Sequence, residues 1–355
     1  MTASDDPLAV GQQLVAILDE GRRTGTYKLA VAVALLDLAV EQVPADPAAV
    51  VSINLGQLTE RVMDLYWGQL RPFLGSDLKQ STDGRSVLLG AVAGLRAKVP
   101  GRREVPLETA QRLVPHEYQR CADKVLRFLV RYPLKRLQRA GRSDTHECFL
   151  YDDSWLGSDS VTVIADHGNQ VELYPGIGHA LARLAPLLKP AFQLAWVHDV
   201  QRMNKAVLGN EPDIAHHLFG ADRVSLARPA EILVEEFGSV CFYCASVVTK
   251  HRHVDHVLPW SRVPLNGLSN LVIGCRRCNS DKSDYLPEPV HVARALDRGR
   301  ERLQGLADSI NWPSQFDRVD SAARGLYSTV TAVTPVWHAP GRIEPLSRID
   351  FVWPR

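Results

Sequence analysis

Two cysteine pairs constrain this chain more than any other feature. Cys241-Phe-Tyr-Cys244 and Cys275-Arg-Arg-Cys278 each have the spacing C-x2-C, and about 30 residues separate them. Two such knuckles bring four thiolates around one tetrahedral zinc. Cys241, Cys244, Cys275 and Cys278 are therefore expected to hold a structural Zn²⁺, and the chain between them becomes a loop closed by the metal. The remaining Cys121 and Cys148 sit in apolar surroundings and read as buried thiols in a reducing compartment rather than a disulfide.

Inside the closed loop, residues 252–258 alternate as a strand does, and Pro259-Trp260-Ser261 ends the alternation. Asn266-Gly267 is a strong turn signal. Residues 270–273 return as a second strand into the second knuckle, and residues 279–282 open a helix. The pattern predicts a ββα unit pinned by zinc. On that frame Asp255 and His256 point to opposite sides of the strand, while Asn279 and Lys282, three apart, share a helix face. The Asp255 carboxylate and the Asn279 amide oxygen suit a hard cation such as Mg²⁺ or Mn²⁺, with water and a substrate phosphate in the remaining positions. His256 is the residue type whose unperturbed pKa suits a general base near neutral pH. Lys282 is expected either to contact phosphate or to cap the site's charge. His253 is expected on the same strand face as His256.

Asp255-His256-x-x-Pro259-x-Ser261 followed by Asn270-Leu271-x-x-x-Cys275-x-x-Cys278-Asn279-x-x-Lys282 resembles the HNH (ββα-metal) endonucleases, including the zinc-stapled bacterial ones. The order Asp-His, Asn, Asn is also similar to that of the HNH domain of RNA-guided CRISPR effector nucleases. The resemblance covers about 50 residues of 355 and implies hydrolysis of phosphodiester bonds to 5′-phosphate and 3′-hydroxyl ends. It implies His256 as general base, Asp255 and Asn279 as ligands of a catalytic Mg²⁺ or Mn²⁺, and Asn270 as the residue that ties the loop through backbone hydrogen bonds. The chain departs from the common pattern at Trp260 and Arg262, which stand around Ser261 with no Gly-Gly pair after them. Its arrangement is similar to that of actinobacterial HNH proteins associated with restriction or phage defence, an analogy at the level of fold. Two other classes fit the same residues: a homing or mobile-element endonuclease, and a non-catalytic zinc module that binds DNA or protein.

The chain as a whole is that of a globular protein of two or three domains, 45% hydrophobic and 23% charged. A formal net charge of +1 excludes a global polyelectrolyte, so any nucleic-acid surface is a local patch. One such patch stands out. Arg120, Lys124, Arg127, Arg131, Lys135 and Arg139 recur every three or four residues, and residues 112–142 hold nine Lys/Arg against two acidic residues. On one helix these form a positive ridge suited to the backbone of double-stranded DNA. Arg276 and Arg277, inside the second knuckle, suit the same partner. No GK[ST] loop is present for nucleotide phosphates. Residues 1–6 are polar, with no basic segment leading an apolar core, and the apolar run 29–40 is too short to span a bilayer and contains Asp37. A cytoplasmic location, no membrane contact, and a homodimer or a defence-system partner protein are the expectations.

The fold class expected is α+β, mostly α. Residues 1–142 read as a helical region: a central helix through Val40 capped by Thr24 or Thr26, a second over 57–70, and a third element from 107 towards 140 broken near Pro133. Residues 143–237 read as a small β meander (147–151, 160–165, 170–174) followed by helices broken at Pro186 and Pro190. The two regions together would form a recognition or regulatory domain. Residues 238–286 are the zinc-pinned HNH module, and 287–355 a C-terminal helical extension.

Overall fold

The computed structural model describes residues 7–18, 23–82, 86–100, 105–139, 148–208, 214–220, 224–248 and 252–346. The chain divides into two compact units: residues 1–103 with 110–223, and residues 104–109 with 224–355. The class is α+β with helices predominant, and each sheet among the described residues has two antiparallel strands.

The first unit is built on α2 (Tyr27–Glu41), whose residues from Leu29 to Val40 are all buried. A helix apolar on every side has to be surrounded. Its companion is α9 (Ile177–Met203), which lies along it. Between the two lies a buried ion pair, with Lys189 Nζ 2.5 Å from Asp37 Oδ1. Burial raises the Asp37 carboxyl from its ordinary value, and Lys189 works against that rise. α9 runs unbroken through Pro186 and Pro190, so the expected breaks are absent. Prolines remove backbone donors, and here tertiary packing outweighs that loss. Thr26 stands at the N-cap of α2, but its hydroxyl bonds Tyr66 and Gln80 rather than the helix end.

Around this pair lie α1 (Pro7–Leu18), α3 (Leu55–Gln69), α4 (Val87–Lys98), α5 (Leu107–Leu113) and α6 (Pro115–Leu129). The short helices α7 (Lys135–Leu137), α8 (Val161–Asp166), α10 (Lys205–Leu208) and α11 (Ile214–Phe219) complete the unit, except that α5 begins in the segment belonging to the second unit. Pro133 does not stop α6. The chain widens into a π-turn over Val130–Leu134 and continues as α7, which accommodates the ring without ending the helix.

Among the described residues the meander is not formed. Residues 161–166 are helical, and the one strand described in the region, β2 (Gln170–Leu173), pairs with β1 (Val51–Asn54), far away in sequence. Alternation in 160–165 was too short to separate strand from helix. The start of the expected first strand, and the 142/143 boundary, lie outside the described residues. Near that strand's end Tyr151 makes one bridge to Leu173.

The second unit opens with α12 (Ala227–Phe237), then the first knuckle, β3 (His253–His256), β4 (Leu271–Gly274) and α13 (Arg276–Lys282). α14 (Pro289–Leu296), α15 (Arg300–Ser309) and α16 (Phe316–Thr329) follow, and the chain then forms a hairpin of β5 (Pro335–Ala339) and β6 (Arg342–Pro345) that helical periodicity did not foretell. Leu233, Leu268, Leu271, Ile273, Leu303, Ala307 and Trp312 form one core, so helices on either side in sequence cover the ββα unit. No helix among the described residues is long and apolar enough to cross a membrane.

Candidate active site and zinc knuckle

The four knuckle sulfurs lie within 4.8 Å of one another, with Cys244 Sγ and Cys275 Sγ 3.9 Å apart. Zinc–thiolate bonds of about 2.3 Å at tetrahedral angles require sulfurs about 3.8 Å apart, so the donor set fits zinc. The local chain is shaped for it. Ala245 takes the left-handed conformation (φ 57°) and lets the loop double back, while Cys241 N donates to Ser246 O at 2.8 Å. Burial first, then the neighbouring sulfurs, push the Cys278 thiol far up. At Cys244 burial also acts upward, but hydrogen bonds from Ser246 and the other sulfurs outweigh it and bring the thiol down to about 6. Four thiols this close resist full ionisation unless a cation sits among them, which is the chemistry of a structural zinc site.

β3 and β4 pair in the register Val254↔Ile273, Asp255↔Val272 and His256↔Leu271. Side chains on a strand alternate, so Asp255 and His256 face opposite ways, as the sequence predicts. The register also corrects one expectation: His253, opposite Gly274, shares the face of Asp255 and not that of His256.

Asp255 is 8% exposed. Its carboxylate accepts from Tyr243 Oη at 2.5 Å and from Lys282 Nζ, 3.0 Å from Oδ2 and 3.2 Å from Oδ1. Lys282 is wholly buried, and its third contact is the His256 carbonyl at 2.8 Å. Its ammonium therefore caps the charge of Asp255 inside the protein and does not reach an external phosphate. Asn279 is half-buried on α13. A Cβ placed on Gly274 would lie 3.7 Å from the Asn279 Cβ and 3.8 Å from the Asp255 Cβ, so both side chains start in van der Waals range of that glycine. A carboxylate and an amide oxygen are hard donors of the kind a divalent cation takes, with Lys282 as a competing positive charge on Asp255.

His256 is 8% exposed. Its Nε2 lies 2.9 Å from Asn266 Oδ1, and its ring is 5.3 Å from that of Trp260. An amide oxygen only accepts, so Nε2 carries the hydrogen and Nδ1 keeps its lone pair. Burial lowers the imidazole pKa from its ordinary value and Lys282 adds to that, against the opposing pulls of Asn266 and Asp255. Asn270 is fully buried. Its Oδ1 accepts from Leu258 N at 2.8 Å, and its Nδ2 donates to the Leu258 and Leu265 carbonyls, both at 3.1 Å. It thus closes the loop that follows His256.

Residues 241–288 match the family model described as HNH endonuclease. This stretch is an HNH endonuclease domain. No curated protein and no solved structure matches the chain.

Several residues that shape the HNH domain were not singled out from sequence. Tyr243, between two knuckle cysteines, holds Asp255. Asn266 read only as a turn residue. Arg298, after the matched stretch, donates to the Leu271 and Ser269 carbonyls on both sides of Asn270, at 2.9 and 2.8 Å; burial brings its guanidinium down to about 10. Trp337, wholly buried, packs on Cys241, Cys278 and Tyr243, and its Nε1 donates to Asp281 at 2.7 Å. None of these has a motif, because each acts through a fold-dependent contact.

The tentative DNA-binding residues divide. Arg276 and Arg277 are exposed on α13. On α6, Lys124 and Arg127 are exposed, while Arg120 pairs with Glu117 at 3.0 Å. Arg131 pairs with Asp159 at 3.0 Å, and Lys135 with Asp153 at 3.1 Å. The helix continues past Pro133 through the π-turn, but Arg139 lies beyond the end of α7, and part of the charge is neutralised within the first unit.

Proposed function

We propose that this chain is a divalent-metal-dependent endonuclease that hydrolyses DNA, with His256 as general base. The observation that carries the reading is the His256 ring: buried, and fixed at Nε2 2.9 Å from the Asn266 oxygen, it is left with Nδ1 as its basic nitrogen. In the proposed step a water oxygen bonds to phosphorus as the P–O3′ bond breaks. His256 Nδ1 takes the water's proton, and the leaving 3′-oxygen is protonated from solvent, giving 5′-phosphate and 3′-hydroxyl ends. A bound Mg²⁺ or Mn²⁺ would be held by Asp255 and Asn279 and would supply charge neutralisation at the phosphate. Tyr243 and Lys282 orient Asp255, and Asn270 fixes the loop.

The first unit, through Lys124 and Arg127, is proposed to bind DNA and to choose the target, and restriction or phage defence is the role that best fits a nuclease joined to a large helical unit. One observation favours a second reading, a zinc module without catalysis: both Asp255 oxygens already accept hydrogen bonds.

Supercoiled plasmid, with and without modified bases, incubated with purified protein and Mg²⁺ beside His256→Ala separates the two. Nicking or linearisation lost in the mutant supports the nuclease. No cleavage of any substrate by folded, zinc-loaded protein favours the binding module.

A further inference from the structure

The loop that presents Asn266 to His256 is held from outside the HNH-matched stretch. Residues 312–315 lie along it. Trp312 Nε1 donates to Asn266 O at 2.7 Å, Leu268 N to Pro313 O at 2.9 Å, and Ser269 N to Ser314 O at 3.1 Å. Gly267 N donates to Gln315 Oε1 at 2.7 Å. The approach is so close that a Cβ on Gly267 would lie 2.4 Å from the Gln315 Cβ and 2.5 Å from Ser314 O. The other end of the Gln315 amide donates to Glu108, which also accepts from Arg318 at 3.3 Å.

Gln315 makes these contacts from a left-handed backbone, φ 54°, which a long side chain rarely adopts and glycine takes without strain. A glutamine there has its amide to offer, and both ends of that amide are used: one on the loop next to Asn266, the other on Glu108.

We infer that Gln315 is a positioning residue for the nuclease reaction, fixing Gly267 and thereby the Asn266 oxygen that orients the His256 imidazole, with Glu108 holding Gln315 in turn. The inference rests on His256 being the general base. Glu108 stands at the start of α5, so the brace of the candidate base is anchored in the short segment that leads into the first unit's sequence.

Gln315→Gly is the discriminating variant. It removes the amide yet relieves the left-handed backbone, so stability and positioning are pulled apart. The single-turnover cleavage rate at saturating enzyme is expected to fall by between about tenfold and a hundredfold, the scale of a displaced catalytic group. The dissociation constant for the DNA, the zinc content and the thermal midpoint are expected to hold. A wild-type rate overturns the inference, and so does a rate that falls only in step with zinc loss and a lowered midpoint. The nitrogen resonances of the His256 ring give a second readout, independent of cleavage. In wild type they are expected to report a single Nε2-protonated form, and in Gln315→Gly a mixture of tautomers. If wild-type protein cleaves nothing but its ring responds in this way, the positioning stands and the nuclease reading falls. An unresponsive ring overturns the positioning whether or not the wild type cleaves.

Discussion

Lys282 and Asp255 form an ion pair at 3.0 Å with both side chains almost wholly inside the protein. The carboxylate proposed as a metal ligand thus already has a cation, supplied by the chain, and Lys282 also bonds the His256 carbonyl. Removing one partner of a buried pair costs far more than the pair contributes, because the remaining charge is stranded. Lys282→Ala is expected to destabilise the second unit by roughly 3–5 kcal/mol. Arg276→Ala, at an exposed position on the same helix, is expected within about 0.5 kcal/mol of wild type. Denaturant unfolding of the two variants checks the contrast.

His256→Ala is expected to lower cleavage by at least ~10², the usual scale of a general base. Zinc per chain and the far-ultraviolet spectrum should be unchanged, since the ring bonds Asn266 and not the knuckle. Metal analysis beside a plasmid assay tests both halves.

The pH dependence has a definite sign. His256 is lowered from its ordinary value, chiefly by burial. A base works deprotonated, so cleavage should be flat through neutral pH and fall only as pH drops through the lowered pKa, below about 6.5. The same shift acts on stability: the unfolded chain takes up the proton first, so this contribution is complete above about 6.5 and is lost as pH falls through the folded value. A rate profile with its acidic limb above neutrality would contradict the assignment.

Cys275→Ser should prevent the second unit from folding, since structural zinc contributes on the order of 10 kcal/mol. Cys275 also caps α13, its sulfur accepting from Cys278 N, so the change removes a helix start as well as a ligand. Loss of bound zinc together with loss of cooperative unfolding is the expected result.

Charge reversal of Lys124 and Arg127 should weaken DNA binding and reduce the salt slope by about 0.9 for each phosphate no longer neutralised. Arg131 and Lys135 are poorer targets, because each has an acidic partner in the first unit and its removal would strand Asp159 or Asp153. Binding measured across a salt series distinguishes the two sets.

The candidate site was legible where chemistry demands a spacing. Two C-x2-C pairs, Asp255-His256 and Asn279 three residues from Lys282 are local patterns, and the ββα frame that joins them follows from alternation and turns. Long-range partners were not legible. Nothing in the sequence near Asn266 says that Trp312 and Gln315 hold its loop, nor near Asp255 that Tyr243 faces it. In the first unit, the all-round apolar run of α2 announced a buried helix, but Pro186 and Pro190 misled, because packing along α9 outweighs the local cost of proline. Strand β2 was visible between its turn residues, whereas its partner β1 runs straight into α3 with no turn between them to set it off.

The β5–β6 hairpin gives the HNH domain a different natural boundary from the one its motif suggests. Trp337 roofs the zinc knuckle and Asp281 ties the hairpin to the helix that carries Asn279 and Lys282. Residues 241–288 taken alone would leave the cysteines without Trp337 and Asp281 without the hairpin it holds. A fragment meant to keep the ceiling over the cysteines therefore has to run through the hairpin to residue 345.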